Sequence, residues 1–379
     1  MASETVVLPS QIPPTESRTL FNASWAKLPD VPSEFIWPGS ENRLNLPEIE
    51  VPHIDLKAFL SGDPQTIETL CTQVNEACKK HGFFVVVNHG VDPELVARAE
   101  SLIDEFFTLP MEEKLRAERL VPSPWGYASS FFGRFHSTLP WKETLSISYS
   151  ADPNRRSIEE YVDRVLGQNY KRLGTTFQEY GEAMSNVCLV LTELLGLSLG
   201  VGRKYFRDFY EDNESVMRLN YYPPCQRPDL ALGIGPHCDP TSLTILHQDL
   251  VGGLQAFVDD QWYAVSPKQG AFVVNIGDTF TAMTNGLYNS CLHRVVLNEK
   301  VVRRSVAFFL NPNGKKVVVP PKELITEENP RRYPDFTWPT FLEFTQKHYR
   351  VDENTLEVFT KWVEKEKNQQ ELNEKNDSI

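Results

Sequence analysis

The chain has 379 residues, of which 41% are hydrophobic and 23% are charged, a composition typical of a globular protein with a sizeable core. Its formal net charge of −13 at pH 7 repels nucleic acid and anionic membrane surfaces, so we expect neither as a partner. An anionic small-molecule substrate would need a local cluster of Lys or Arg. No apolar run approaches the ~20 residues of a membrane span.

The N-terminus and the cysteines bear on the cellular compartment. Residues 1–20 lack the basic start and apolar core of a secretory signal. The six Cys are irregularly spaced and no export signal precedes them, so we expect reduced thiols in a cytoplasmic protein. We also expect a monomer. Cys71 and Cys78 lie seven residues apart, but the further ligands of a metal site are not evident, so we expect buried thiols there.

Periodicity along the chain predicts the secondary structure. Residues 1–50, rich in Pro, Ser and Asn, predict an extended arm held to the rest of the protein by residues 35–38. Apolar spacings of three and four predict helices over residues 63–81, 92–110, 158–197, 341–348 and 356–367. Short apolar runs between turn residues predict strands over residues 51–56, 83–87, 216–222, 243–248, 254–258, 262–265, 271–276, 294–297, 305–310 and 316–319.

The clustering of strands beyond residue 216 predicts the fold class. About eight short strands at this spacing favour a mainly β protein with flanking α-helices, and a jelly roll fits best. We predict an N-terminal arm over residues 1–50, a helical and strand region over 51–210, a jelly-roll core over 211–320, and C-terminal helices with a tail over 321–379. The last dozen residues, rich in Glu, Lys, Asn and Gln, are expected to be disordered.

Two His and one Asp have the spacing of a metal site. His237 and Asp239 lie two residues apart, so in a strand they share a face while Cys238 points away. With His293 they predict the two-histidine, one-carboxylate triad of non-haem iron(II) oxygenases, which leaves coordination positions open. The six other histidines, interpreted as packing or surface residues, are His53, His81, His89, His136, His247 and His348.

A carboxylate-binding pair follows His293 in the sequence. Arg303 and Ser305 share a strand face, and a guanidinium fork beside a hydroxyl suits one carboxylate. Tyr222 and Asn220, at the end of an earlier strand, are expected to join them, and the same alternation puts Phe309 on the inside as a wall for an apolar substrate. A metal triad beside a carboxylate clamp indicates a chelating keto-diacid, and 2-oxoglutarate has that shape.

These motifs together resemble a known family. Residues 220–225, His237-Cys238-Asp239, His293 and Arg303-x-Ser305 resemble the plant 2-oxoglutarate/iron(II)-dependent dioxygenases, and residues 81–84 and 88–91 resemble that family's N-terminal region. The resemblance covers about residues 50–350. It implies a distorted double-stranded β-helix (jelly-roll) core, with Fe(II), 2-oxoglutarate and O₂ as cofactor and co-substrates and ascorbate as reductant.

A narrower resemblance concerns the substrate. Residues 139–146 and 232–249 are similar to the signatures of gibberellin 20-oxidases, with Ala231 and Ile234 in place of Thr and Ile147 in place of Phe. The resemblance implies a diterpenoid carboxylic acid, a C20 gibberellin, whose C-20 is oxidised stepwise and lost to give a C19 gibberellin. Oxidative decarboxylation of 2-oxoglutarate to succinate and CO₂ would accompany each oxidation. The three departures bear on substrate preference alone.

A rigid apolar acid needs apolar walls and one or two fixed cations. We expect Lys142 as the main cation, Trp141 and Tyr127 as walls and Arg134 as a second cation, although Trp141 and Lys142 could instead pack a loop. The alternatives are a related dioxygenase acting on another gibberellin position or on a flavonoid, and a zinc hydrolase or non-catalytic hormone-binding module. Arg303-x-Ser305 opposes the last two, since a hydrolase needs no keto-diacid clamp.

Overall fold

A computed structural model describes residues 30–39, 43–120, 123–129, 138–348 and 354–377. The helices are α1 (Leu56–Leu60), α2 (Pro64–Lys80), α3 (Pro93–Phe107), α4 (Met111–Leu115), α5 (Ser157–Val165), α6 (Lys171–Ser198), α7 (Lys204–Tyr210), α8 (Asp278–Met283), α9 (Trp338–His348) and α10 (Thr355–Asp377). The strands are β1 (His53–Asp55), β2 (Phe83–Val87), β3 (Gly126–Ser129), β4 (Glu143–Ser150), β5 (Glu214–Tyr222), β6 (Leu232–His237), β7 (Leu243–Gln248), β8 (Leu254–Val258), β9 (Gln261–Ala264), β10 (Phe272–Ile276), β11 (His293–Val296), β12 (Arg303–Leu310), β13 (Val317–Val318) and β14 (Phe336–Thr337).

Two sheets enclose a cavity. The large sheet has the strand order β1-β2-β10-β7-β12-β5-β4-β3, and the small sheet has the order β6-β11-β8-β9. Neighbouring strands are antiparallel except for the parallel pair of β1 and β2. The strands β1 to β4, from the N-terminal region, thus join the same sheet as the later strands. The mainly β jelly roll with flanking helices is confirmed.

Strand alternation gives the large sheet two different faces. On β12, Val306 and Phe308 belong to the main hydrophobic core, which also contains the apolar stripe of α6. Arg303 and Ser305, on the opposite face of the same strand, line the cavity between the sheets. The helices therefore cover the outer face of the large sheet and leave its inner face for the site.

Local signals fix the ends of α2. The Asp63 carboxylate accepts a hydrogen bond from the Thr66 N–H at 2.8 Å, and Pro64 occupies the first turn, where its missing N–H costs nothing. Gly82 ends the helix with a φ of +72°, a conformation that suits glycine. A Cβ at this position would also lie 2.1 Å from the carbonyl oxygen of Asn289, so space excludes every other residue.

Several predicted elements were wrong in extent. The single helix over residues 158–197 is two helices, α5 and α6, because Gly167 between them has a φ of +90°. The strand β6 was missed, since two glycines and Pro236 conceal its pattern, and β3 and β4 were missed as well. The tail is helical to Asp377, because Glu, Lys and Gln are good helix formers. Among the described residues, no helix is long and apolar enough to cross a membrane.

Candidate active site

His237, Asp239 and His293 converge at one end of the small sheet. His237 ends β6, His293 begins β11, and the two residues are paired across the antiparallel strands. The His237 Nε2 atom lies 3.6 Å from Asp239 Oδ1, and the His293 Nε2 atom lies 3.8 Å from Asp239 Oδ2. All three side chains are buried, and their ligand atoms lie within 4.8 Å of one another. A single metal ion can therefore contact all three.

Backbone carbonyls orient both imidazoles. His237 Nδ1 lies 2.9 Å from the Gly235 carbonyl oxygen, and His293 Nδ1 lies 3.0 Å from that of Cys291. A carbonyl can only accept a hydrogen bond, so each Nδ1 carries the proton and each Nε2 keeps its lone pair directed at Asp239. This tautomer is the one that a metal ligand requires.

The Asp239 carboxylate is held in its ionised form. Its Oδ2 atom accepts hydrogen bonds from Thr244 Oγ1 at 2.6 Å and from Asn275 Nδ2 at 3.0 Å. Burial on its own would raise the pKa of this carboxyl. Electrostatic interactions with His293 and His237, together with the two hydrogen bonds, outweigh burial and hold the pKa well below its usual range. Asp239 therefore offers a fixed negative charge.

A second cluster lies across the cavity on β5 and β12. Arg303 pairs with Tyr222, and Ser305 pairs with Asn220, in the antiparallel register of these strands. Asn220 Nδ2 donates to Ser305 Oγ at 3.3 Å, and the Arg303 guanidinium carbon lies 5.0 Å from the centre of the Tyr222 ring. Burial raises the pKa of the Tyr222 phenol, so it stays protonated as a donor. The four side chains form one polar patch.

Two buried donors, one in this patch and one on the neighbouring strand β7, have no hydrogen-bond partner within the described part of the chain. Arg303 is only 1% exposed, and its Nη2 atom donates to Gln248 Oε1 at 2.8 Å, while Arg303 Nε and Gln248 Nε2 are unsatisfied. Buried donors without a partner are costly, so the patch is suited to an acceptor that the protein itself does not supply. A carboxylate fits this donor set.

Comparison with protein families agrees with this geometry. Residues 51–165 match the family described as non-haem dioxygenase in morphine synthesis N-terminal, and residues 213–312 match the 2OG-Fe(II) oxygenase superfamily. Over 338 residues the chain is 56% identical to gibberellin 20 oxidase 4 of Arabidopsis thaliana, with 88% of this chain and 89% of the relative covered. The chain belongs to the gibberellin 20-oxidase family of 2OG-Fe(II) oxygenases.

Other relatives of this 2OG-Fe(II) oxygenase agree. Gibberellin 20 oxidase 1-B of Triticum aestivum is 56% identical over 337 residues, with 88% of this chain and 92% of the relative covered. The crystal structure of JOX2 in complex with 2OG, Fe, and JA superposes with a TM-score of 0.76 at 30% identity, covering 90% of this chain and 98% of that chain. A dioxygenase for auxin oxidation in rice gives a TM-score of 0.69 at 28% identity, covering 82% and 99%.

The family settles the cofactors of this 2OG-Fe(II) oxygenase, which are Fe(II) and 2-oxoglutarate. The donor set fits the metal, since two imidazoles and one carboxylate are the ligands that non-haem Fe(II) oxygenases use. Within the described ranges, His237, Asp239 and His293 are the one group of three or more His, Cys, Asp or Glu side chains with metal-binding geometry. The predicted enzyme class is confirmed, and the zinc hydrolase alternative loses its support.

The cavity of the oxygenase extends from the triad past the Arg303 patch. Among the described residues that line it, three are cationic, Lys142, Arg218 and Arg303, and one is acidic, Asp239. The cavity is therefore locally positive in a chain whose net charge is −13. Its apolar lining comprises Ile234, Leu246, Leu254, Val295, Ala307 and Phe309. Such a cavity is suited to an apolar molecule that carries a carboxylate.

Arg218 is a cavity residue that the sequence analysis missed. It lies on β5 two positions before Asn220, so it shares the inner face with Asn220 and Tyr222. Its Nε atom donates to Ser146 Oγ of β4 at 2.9 Å, and its guanidinium carbon lies 5.2 Å from the centre of the Phe309 ring. The same alternation that selected Asn220 and Tyr222 would have selected Arg218 had it been extended by two residues.

The predicted substrate residues have different locations. Lys142 and Phe309 line the cavity, whereas Tyr127 and Trp141 do not. Tyr127 lies in the main core, where its hydroxyl donates to Glu143, and Trp141 is buried in a second core with Phe35 at a ring-centre distance of 5.1 Å. Tyr127 lies on β3, which pairs with β4 in the large sheet, and Trp141 lies in the short loop just before β4. Arg134 lies outside the described residues.

The thiols agree with the expectation of reduced cysteines. All six are free, and Cys78 is fully buried while Cys71 is partly exposed. Burial raises the pKa of both thiols, which makes them poor metal ligands. Cys238, between two of the triad residues, does not line the cavity.

Proposed function

We propose that the protein is a gibberellin 20-oxidase that oxidises C-20 of C20 gibberellins stepwise, with loss of that carbon to give C19 gibberellins. Each oxidation is coupled to the conversion of 2-oxoglutarate to succinate and CO₂. The reaction is supported by the 56% identity to a gibberellin 20 oxidase over most of both chains. The chemistry is supported by the cavity, which joins the triad, a carboxylate-binding patch and two further cations.

In this proposal His237, Asp239 and His293 hold Fe(II). The Gly235 and Cys291 carbonyls keep both Nε2 lone pairs directed at the metal, and Thr244 and Asn275 keep the Asp239 carboxylate from rotating. Bound Fe(II), 2-oxoglutarate and O₂ supply the oxidation, with ascorbate as reductant. The protein supplies position and a buried setting, because all three ligand side chains are shielded from water.

The patch of Arg303, Ser305, Tyr222 and Asn220 binds the carboxylate of 2-oxoglutarate that is remote from the metal. The unsatisfied Nε of Arg303 and the hydroxyls of Ser305 and Tyr222 are the donors available to it. Because the patch is buried, each hydrogen bond to a charged carboxylate is strong, and its geometry sets how far the co-substrate reaches toward the triad.

Lys142 and Arg218 bind the carboxylates of the gibberellin. Both line the cavity on the side of β4 and β5, apart from the small sheet that carries the two triad histidines. The Lys142 Nζ atom lies 5.8 Å from the Tyr222 ring centre, which places it beside the 2-oxoglutarate patch. Fixing the acid at these two cations and the hydrocarbon against Phe309 would present one carbon to the metal.

The protein acts as a cytoplasmic monomer in this proposal, and its segments 1–50, 51–210, 211–320 and 321–379 form one catalytic unit. Six free thiols favour a reducing compartment. Gel filtration with light scattering tests the oligomeric state, and fractionation of the source tissue tests the location.

The deciding experiment is product analysis after incubation with isotopically labelled C20 gibberellin, Fe(II), 2-oxoglutarate and ascorbate. We expect the C-20 alcohol, the aldehyde and a C19 product, together with succinate. Variants with Ala at His237, Asp239 or His293 are the controls and should release no product. Hydroxylation at another carbon, or turnover of a flavonoid instead, would favour a related dioxygenase. Metal-loaded protein that releases no succinate would refute an oxygenase of any kind.

A further inference from the structure

A segment ahead of the family match packs against the strand that ends in His237. This strap consists of residues 31–39 and Arg43, whereas the family match begins at residue 51. Phe35 of the strap is fully buried, and Trp37 is 8% exposed. The Trp37 N–H donates to the Leu230 carbonyl at 2.9 Å, just before β6 begins. The strap thus contributes Phe35 and Trp37 to the second core, which also contains side chains of both sheets.

Trp37 occupies the space that a side chain at position 235 would need. A Cβ on Gly235 would lie 2.0 Å from the Trp37 ring, which is far inside van der Waals contact. The φ of Gly235 is not in the positive region, so space rather than backbone conformation requires the glycine. The carbonyl of this same glycine accepts the hydrogen bond from His237 Nδ1. The indole therefore contacts the peptide that orients a triad imidazole.

The strap also fixes the loop that leads to Lys142. The Leu139 N–H donates to the Glu34 carbonyl at 2.7 Å, and the rings of Phe35 and Trp141 meet edge to face. The Trp141 N–H in turn donates to the Leu232 carbonyl of β6 at 2.9 Å. The strap, the loop and β6 therefore each contact the other two. A shift of the strap would move both His237 and Lys142.

Arg43 anchors the strap at its other end. Its guanidinium, 3% exposed, donates to the Trp37 carbonyl at 3.2 Å and contacts the Leu230 carbonyl at 3.4 Å. Its own carbonyl accepts from Gln255 Nε2 at 2.6 Å, which ties it to β8 of the small sheet. One buried side chain thus joins the backbone of the strap to the backbone just before β6.

We infer that the strap is a positioning element of the active site. Trp37 holds the Gly235 carbonyl in the place where it orients His237, and Phe35 holds the loop that presents Lys142 to the cavity. The inference rests on the proposed function, in which His237 binds the metal and Lys142 binds the substrate acid. Neither Trp37 nor Phe35 touches the cavity, so both act through other residues.

The test compares Trp37→Ala with Ile36→Ala, because Ile36 is the preceding residue of the strap and is 41% exposed. Fe(II) affinity is measured by anaerobic calorimetric titration, and the KM for a C20 gibberellin is measured separately. We expect Trp37→Ala to weaken Fe(II) binding about tenfold, at the low end of effects seen for groups behind metal ligands, and to raise the KM. Ile36→Ala should match the wild type, and Trp37→Phe should recover part of the affinity.

A double-mutant cycle tests the contact itself. Gly235→Ala should weaken Fe(II) binding in the wild-type background, where the new methyl meets the indole, and much less in the Trp37→Ala background, where the space is free. Additive effects on Fe(II) affinity would overturn the inference. Thermal unfolding of each variant identifies a temperature at which all variants are folded. If Trp37→Ala does not fold, the cycle is measured with Trp37→Phe and Gly235→Ala instead.

His237→Ala separates failure of the inference from failure of the proposed function. If His237→Ala binds Fe(II) as tightly as the wild type, the proposed metal centre is wrong. If His237→Ala loses Fe(II) binding while Trp37→Ala behaves like Ile36→Ala, the metal centre stands and the positioning role of the strap is refuted.

Discussion

Lys142 and Glu143 are consecutive residues whose side chains lie on opposite faces of the large sheet. Lys142 lines the cavity, whereas Glu143 Oε2 accepts from Lys114 Nζ at 2.5 Å and from the Tyr127 hydroxyl in the main core. Lys114 also donates to the Phe107 carbonyl at the end of α3, at 3.0 Å. Of these two consecutive residues, Lys142 therefore contributes to the cavity and Glu143 contributes to the core.

The buried ion pair of Lys114 and Glu143 should contribute more to the free energy of unfolding than an exposed ion pair does. Their side chains are 6% and 5% exposed, so Lys114→Met leaves a buried carboxylate without a cation. We expect the free energy of unfolding in urea to fall by about 3–5 kcal/mol. Lys347→Met, which breaks the exposed pair with Glu343, is the control and should change stability far less. Equal effects of the two substitutions would contradict this account, and Lys114→Met combined with Glu143→Leu should restore part of the loss.

Arg303→Ala should act on 2-oxoglutarate. Removing a buried guanidinium that pairs with a charged carboxylate should raise the KM for 2-oxoglutarate roughly 30-fold or more, the equivalent of about 2 kcal/mol. Arg304→Ala is a matched control, since Arg304 points to the other face and pairs with Asp104 of α3. Steady-state kinetics with varied 2-oxoglutarate measures both variants. An unchanged KM in Arg303→Ala would mean that the clamp lies elsewhere.

Lys142→Gln and Arg218→Gln should act on the gibberellin instead. Each substitution removes a charge-assisted hydrogen bond of about 1.5–3 kcal/mol, so we expect the KM for a C20 gibberellin to rise about 10- to 150-fold. Slow 2-oxoglutarate decay without gibberellin should persist in both variants, because neither residue belongs to the triad or to the Arg303 patch. Loss of that basal decay would show a role beyond substrate binding.

Acid should destabilise the fold through His81. This side chain is 7% exposed, and its Nδ1 atom accepts from the Phe83 N–H at 3.1 Å, which requires the neutral ring. Burial, helped by the charge of Lys80, lowers its pKa to about 4, against about 6.5 when unfolded. The unfolded chain thus binds this proton more readily, so His81 stabilises the fold above pH 6.5 and loses that contribution as the pH falls toward 4.

Urea titrations of the metal-free protein between pH 7 and pH 5 measure this effect. The wild type should lose more unfolding free energy over that range than His81→Asn, by at most about 1.4 kcal/mol per pH unit. The control is His348→Asn, on the exposed end of α9. If the unfolding free energy of the wild type and of His81→Asn changes equally with pH, His81 takes up its proton equally in the folded and unfolded states.

The sequence alone determined the faces of individual strands. Alternation predicted that Arg303, Ser305 and Phe309 share one side of a strand, and all three line the cavity. It also predicted that His237 and Asp239 lie together while Cys238 does not join them; they do lie together, although β6 ends at His237 and Asp239 follows just beyond it. The inference for β12 succeeds because the alternation of side chains along a strand is a local property and depends on no distant contact.

Only the tertiary structure decided which faces meet. Lys142 lines the same cavity as Arg218 because β4 pairs with β5, and Trp141 is a core residue because the strap covers it. The position of the strap depends on Gly235, about 200 residues further along the chain, because only a glycine there leaves space for the Trp37 ring. The order of the strands and the position of the strap depend on contacts between residues that are distant in sequence. The local periodicity of the sequence does not encode such contacts.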